Sequence, residues 1–506
     1  MNTPLRAQLL AAAARYPDRP ALWVEGQTYT YAELLDRAWA LANVLATCEQ
    51  RFCLLYAGKN LTRYVGILAS VLAGKPFVPV CPTSPMSYCE RVLAQVADAV
   101  ALIDSGDAEK DAAFLERLPS QARVVHVSGG TAQPQEYIED EGAYLMFTSG
   151  STGVPKAVLV TRDNLHNYVV GARRLFGPTH EDRFAQVNNY TFDLSMHDIF
   201  VAWEHGASVY ALPDAVPFRL PALLREHRIT FWLSVPTTGM SLFNLGLLRP
   251  DSLPDLRYSL FCGEPLPSRL ANAWHAAASN SRLVNIYGPT ECTIAVTAFE
   301  WQSNMVLPDV VPIGTPYPEQ LVCVVDTNLR EVPFGHVGEL CLGGSQLAPG
   351  YYGNAEQTAK RFVKVVGREG TWYRTGDWAV EDPSWGLMFR GRCDDQMQVR
   401  GYRVERMEVE GLMRRALATD SVAVVGWPVS EGNLVQGLVA FVDGVTMTTQ
   451  RIRGVLRDEL PEHMWPSQIH LQPLPQTRSR KVDYQALKTQ LENEAAKSLV
   501  ASQRGA

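Results

Sequence analysis

The apolar tetrapeptide YLMF (144–147) runs straight into TSGSTGVPK (148–156), with no polar residue before the loop begins. A strand apolar on both faces must be covered on both faces, and in parallel sheets that cover is helical. Two further runs, FCLLYAG (52–58) and LVCVVD (321–326), read as buried strands of the same kind. Helical patterns lie between such runs: Thr30-Tyr-Ala-Glu33 is a capping box, and Leu34, Ala38, Leu41 and Leu45 then share one helical face. This alternation predicts an α/β fold of layered sheets.

At 506 residues the chain exceeds one ordinary core. The pattern restarts after 386–405, with a helix at 407–417, strands at 422–427 and 437–443, and a helix at 449–459. We therefore expect a large domain over 1–393, a small α+β domain over 394–490, and a polar helix and tail over 491–506.

The loop at 148–156 sits at a strand end, where ligands of α/β sheets bind. Glycine removes side-chain bulk, while backbone N–H groups, hydroxyls and an ammonium donate hydrogen bonds, a composition suited to phosphate. The P-loop pattern does not fit. Pro155 stands at its second glycine and Ala157 at its metal-binding hydroxyl. A net charge of −7 without a basic run excludes a nucleic-acid surface. No apolar run reaches the roughly 18 residues that span a bilayer. The amino terminus is broken by Arg6, Arg15, Asp18 and Arg19, so a cytoplasmic protein is expected. Nine cysteines form no C-x-x-C pair, which predicts buried free thiols with neither zinc nor a disulfide framework.

Six further segments follow in order: FDLS (192–195), NIYGPTECTIAVT (285–297), GELCLGGSQLAPGYYG (338–353), YRTGDWA (373–379), GRCDDQMQVRGYRVE (391–405) and LPQTRSRKVD (474–483). Together with the loop they resemble the core motifs of adenylate-forming enzymes, specifically amino-acid adenylation domains of nonribosomal peptide synthesis and D-alanine–carrier-protein ligases. The resemblance implies that a carboxylate is joined to the α-phosphate of ATP with loss of pyrophosphate, and that the acyl group then passes to the phosphopantetheine thiol of a carrier protein. Both partners of the first step are anions, so catalysis is positioning and charge neutralisation.

By this resemblance Thr148, Ser149, Gly150, Ser151, Thr152, Gly153 and Lys156 would hold the leaving phosphates. Tyr287 would stack on adenine, Asn285 would face its edge, and Gly288 would belong to the same nucleotide site. Glu291 would hold Mg²⁺, which needs only one or two carboxylates when it bridges phosphates, and Thr290 would be a catalytic residue together with Glu291 and Lys481. Asp377 would accept the ribose hydroxyls, and Arg392 would contact ribose or phosphate. Lys481 would neutralise the two reacting anions. Asp394 would be the hinge about which the small domain rotates between the two half-reactions. Arg478, Arg480, Gln398 and Pro349 depart from the commoner residues of these motifs.

Asp193 matches the aspartate that pairs with a substrate's α-ammonium; its plainer role would be to cap the helix that follows. The remaining pocket positions are Leu194, His197, Leu233, Leu260, Cys262, Ile286, Ile294 and Ala295, a mostly aliphatic lining that implies a small neutral amino acid. His197 would either bond a polar substituent or sit at the rim, and the rim is the reading taken here. No carrier attachment site follows residue 485, which implies a separate carrier protein as partner. An acyl-CoA ligase would share the fold and nucleotide motifs but would have little use for Asp193.

Overall fold

The computed structural model describes residues 4–126, 140–150, 154–213, 217–303, 305, 308–394, 396–430, 434–477 and 482–504. The chain divides into two compact units. One comprises Met1–Thr83, Glu90–Thr148 and Lys156–Asp394; the other comprises Ser84–Cys89, Ser149–Pro155 and Asp395–Ala506. A boundary drawn at one point in the sequence does not capture the two short early segments of the second unit.

Among the described residues the large unit is built on three sheets. In a six-stranded sheet Ala99–Asp104, Phe52–Ala57, Phe77–Val80 and Gly142–Thr148 run parallel, and Lys156–Thr161 closes the edge antiparallel to Gly142–Thr148. The FCLLYA run is buried at every position, as a strand covered on both faces must be. A nine-stranded sheet has a parallel centre that includes Arg183–Gln186, Phe231–Ser234, Tyr258–Phe261 and Arg282–Tyr287. The third sheet is antiparallel and contains Gln320–Val325, Gly338–Gly344, Trp372–Asp382 and Gly386–Arg392.

One apolar core runs through all three sheets, with Leu55, Phe184 and Leu340 among its members. Helix Leu61–Leu72 is buried almost all round, in keeping with its mostly apolar sequence from Tyr64 onward. Helix Tyr31–Ala46 begins with the capping box: the Glu33 N–H donates to Thr30 Oγ1 at 3.2 Å and the Thr30 N–H to Glu33 Oε2 at 2.9 Å. Leu34, Ala38, Leu41 and Leu45 all face the core. The run at 321–326 departs from expectation. Its strand is antiparallel and only partly covered, and Leu321 is exposed.

In the small unit, strands Val422–Gly426, Leu438–Val442 and Pro466–Leu471 form a sheet with apolar cover on both faces. Helices Arg406–Leu417 and Thr449–Glu459 supply one side through Val409, Leu412, Met413, Ile452 and Leu456. Leu487 and Leu491 of helix Tyr484–Arg504 cover Ala423, Val425, Val439 and Phe441 on the other. The stretch expected as a polar helix and tail from 491 therefore starts inside a packed element, because two leucines one turn apart face the sheet.

No described helix is long and apolar enough to cross a membrane. All nine cysteines are free thiols. Eight are buried as expected, but Cys393 is exposed, since it lies in the irregular turn just past the end of an edge strand.

Candidate active site

The C-terminal end of strand Arg282–Tyr287 and the middle of Trp372–Asp382 meet at one ionic cluster. The Tyr287 hydroxyl donates to Asp377 Oδ2 at 2.5 Å, and Arg392 Nη1 donates to Asp377 Oδ1 at 2.6 Å. Burial, reinforced by Asp377, pushes the Tyr287 phenol well above its ordinary range, so it stays an O–H donor. The other side of the Arg392 guanidinium grips both oxygens of Asp394, at 2.7 Å each from Nη2. Arg361 Nη2 adds a second charged donor to Asp394 Oδ2 at 3.0 Å. Burial works to raise the Asp394 carboxyl, but the two arginines outweigh it and hold it below the usual carboxylate range. Gly376 makes the cluster possible. It lies at φ +76°, and a Cβ there would come within 2.5 Å of Asp394 Oδ2 and 2.6 Å of Arg392 Nη2. Arg361 was not singled out in the sequence, where it is one arginine at the end of a surface helix.

Asn285 is buried, and its amide donates to the carbonyls of Val311 and Pro312 at 3.2 and 2.9 Å. Both its donors are thereby used in holding that loop, and the carbonyl oxygen is its remaining polar atom. Gly288 packs backbone against backbone: a Cβ would sit 2.6 Å from the Ala295 Cα.

Thr148 ends its strand with Oγ1 buried and no hydrogen-bond partner among the described residues. Lys156 is buried to 8% exposure, with Nζ 5.8 Å from the centre of the Tyr351 ring. Glu291 is fully buried and accepts the Tyr351 hydroxyl at 2.7 Å on Oε1. Ser149 and Gly150 are counted with the small unit, where Ser149 Oγ donates to the Arg403 carbonyl at 2.7 Å and the Gly150 N–H to Glu408 Oε2 at 3.1 Å. Ser151, Thr152, Gly153 and Lys481 lie outside the described residues.

Asp193 is also buried, at 7% exposure. It stands at the start of a short helix but makes no side-chain capping bond, so capping does not account for it. The Ile294 N–H donates to its Oδ2 at 3.3 Å. Burial raises its carboxyl to about 6, against the opposing hydrogen bonds of Thr290 and Ile294. Leu233 and Leu260 pair in register on adjacent parallel strands, and Ile286 lies on the next strand. With Leu194, Cys262, Ile294 and Ala295 they are all buried.

His197 corrects the rim reading. It is 1% exposed, its Nδ1 is 2.7 Å from the Tyr168 hydroxyl, and Tyr168, Phe176 and Phe184 surround its ring. Burial lowers its imidazole to about 3, so it is neutral. An aromatic cage contributed by a distant helix and strand outweighs the local polarity of Met196-His197-Asp198.

The segment after Glu291 carries unusual backbone. Thr293 and Ile294 both have positive φ, +57° and +71°, which costs a β-branched residue of order 1–3 kcal/mol. Gln346 spans this turn. Its Nε2 reaches the carbonyls of Ala295, Thr293 and Cys292 at 2.7, 3.2 and 3.4 Å, while Thr293 Oγ1 donates to the Gln346 carbonyl at 2.7 Å. Sequence reasoning passed over Gln346. Its only signal was a buried-type position within GGSQLAPGYYG that carries an amide.

A family model described as AMP-binding enzyme matches residues 9–352. The D-alanine–D-alanyl carrier protein ligase of Lactiplantibacillus plantarum is 30% identical over 497 residues, covering 94% of this chain and 96% of that protein. Malpibaldin synthetase of Mortierella alpina is 33% identical over 498 residues, which is 94% of this chain and 9% of that protein. The solved structure of the Vibrio cholerae adenylation domain AlmE in complex with glycyl-adenosine-5'-phosphate superposes with a TM-score of 0.87 at 31% identity, covering 97% of this chain and 98% of that one.

Proposed function

The chain belongs to the AMP-binding enzyme family as an adenylate-forming ligase that activates an acid, and we propose that this acid is a small neutral amino acid. The observation that carries the proposal is the Asp193 carboxylate, buried with neutral donors, Thr290 and the Ile294 N–H, on it. A buried carboxylate held by neutral donors costs free energy that a cationic partner recovers. An α-ammonium supplies that partner; a fatty or aryl acid does not.

The substrate carboxylate attacks the α-phosphorus of ATP, a C–O–P bond forms, the bond to the β-phosphate oxygen breaks, and pyrophosphate leaves. Asp193 fixes the amine end of the acid. Asp377, already presented between Tyr287 and Arg392, receives the ribose hydroxyls. Thr148 and Lys156 would face the phosphates, and Lys481, outside the described residues, is the residue that would neutralise the two reacting anions. Among the described residues no group of three or more His, Cys, Asp and Glu side chains could hold a metal ion by itself. Glu291, a buried carboxylate, is the residue that would hold Mg²⁺, an ion that needs only one or two protein carboxylates when phosphates are bound. Mg²⁺ bound there would neutralise phosphate charge.

In the second half-reaction the thiol of a phosphopantetheinylated carrier protein displaces AMP. The buried aliphatic positions Leu233, Leu260, Cys262 and Ile286 are taken as the lining for the side chain, and their bulk favours a small amino acid over larger acids. The test is exchange of labelled pyrophosphate into ATP across D- and L-amino acids and the matching acids without the amine. Exchange with a small amino acid and none with its deamino analogue is expected; equal exchange with the two would replace this reading with an acyl-CoA ligase.

A further inference from the structure

Gln346 is wholly buried, and its side-chain orientation is unambiguous because the three groups within reach of Nε2 are all carbonyl acceptors. An amide nitrogen has two hydrogens, so the Ala295 carbonyl takes one and the carbonyls of Thr293 and Cys292 share the other. The three carbonyls bracket the two residues at positive φ. Such backbone persists only where its surroundings over-determine it. The over-determination is visible: the Ala348 N–H donates to the Glu291 carbonyl at 2.9 Å, and the Val296 N–H to the Tyr287 carbonyl at 2.7 Å.

Released from this hold, Ile294 would relax toward negative φ, and its N–H would turn away from Asp193. The same turn carries Glu291 three residues earlier. We propose that Gln346 is a positioning residue for the amino-acid site, locking the 292–295 turn in the left-handed conformation that aims the Ile294 N–H at Asp193. The inference rests on the reading of Asp193 as the ammonium partner.

Tyr144, Tyr168, Cys262 and Glu291 are ionisable groups that interact with Asp193. Burial pushes the two phenols and the thiol well above their usual ranges, so they stay neutral, and Glu291 raises Asp193 further. The Ile294 N–H is one of the few influences that lower it. Losing that donor moves the acid limb of amino-acid kcat/KM upward.

The experiment uses two nearly isosteric variants of the full chain, Gln346→Met and Gln346→Glu, in pyrophosphate exchange from pH 5 to 8. In Gln346→Met the KM for the preferred amino acid is expected to rise about tenfold and the acid limb to move up by as much as about one pH unit. The KM for ATP should stay within about twofold. Gln346→Glu, which sets a carboxylate against three carbonyls, should lose more. Calorimetric binding of AMP, unchanged in Gln346→Met, shows that the variant is folded. If amino-acid and ATP KM move together, or the acid limb stays where it is in wild type, the proposal is overturned. If wild type itself shows no amino-acid-dependent exchange, the reading of Asp193 fails instead.

Discussion

Asp377 and Asp394 share one guanidinium: Arg392 bonds Asp377 at 2.6 Å through Nη1 and both oxygens of Asp394 at 2.7 Å through Nη2. Asp394 is the last residue of the large unit. The proposed ribose acceptor and the proposed hinge are therefore held by a single side chain. Arg392→Ala leaves Asp377 with only the Tyr287 hydroxyl and Asp394 with only Arg361 of the partners described above, and charge-assisted hydrogen bonds of the kind lost contribute roughly 1.5–3 kcal/mol each. The KM for ATP should rise about 10- to 100-fold in pyrophosphate exchange. Arg392→Lys should recover little of it, because an ammonium cannot reproduce a planar fork directed at two partners.

Asp193 sets opposite demands on function and stability. Its carboxyl, raised to about 6 by burial, ionises in the folded chain at a cost of about 3 kcal/mol relative to an ordinary aspartate. A raised carboxyl makes the fold more stable below its unfolded value near 4, and that contribution is lost as pH rises through about 6. Asp193→Asn should accordingly unfold at a higher temperature than wild type at pH 7.5, with the difference gone below pH 4. The same variant should lose two to three decades of amino-acid kcat/KM. In wild type, kcat/KM for the amino acid should fall as pH drops through about 6.

His197 is a packing residue in an aromatic cage, bonded to Tyr168. Truncation to alanine removes a fully buried ring and one hydrogen bond, which should cost roughly 2–4 kcal/mol in chemical denaturation. Its imidazole is lowered to about 3, so the stability it contributes is present above pH 6.5 and lost as pH falls through 3. The pH profile of exchange should contain no limb from this group, and removing it should leave the profile's shape as it is.

Lys481→Ala should depress exchange by two decades or more, since the repulsion between carboxylate and phosphate then goes uncompensated. Asp394→Pro should spare exchange and block loading of the carrier, which gel shift of the carrier protein reads directly. Exchange left intact in the lysine variant would place the charge-neutralising group elsewhere in the C-terminal loop.

Local patterns carried a large share of the architecture. The capping box at Thr30 and Glu33, the helical stripe through Leu45 and the apolar strand at 52–57 each follow from contacts within a few residues or from burial on both faces. The motifs 148–156, 285–297 and 373–379 pointed to the family that the comparisons show. What the sequence could not rank was the work done between distant segments. Gln346 acts on carbonyls 51 to 54 positions away, Arg361 on a carboxylate 33 away, and Tyr168 on an imidazole 29 away. In a linear reading each is a common residue in a plausible place. Both donors of Asn285 go to a loop 26 and 27 residues on, a commitment invisible until the loop is folded against it. Residue type and spacing thus determined which reaction the chain is equipped for. Tertiary structure decided which backbone is held in costly conformations and which buried charges are left for a ligand, because both depend on partners brought together only when the sheets pack.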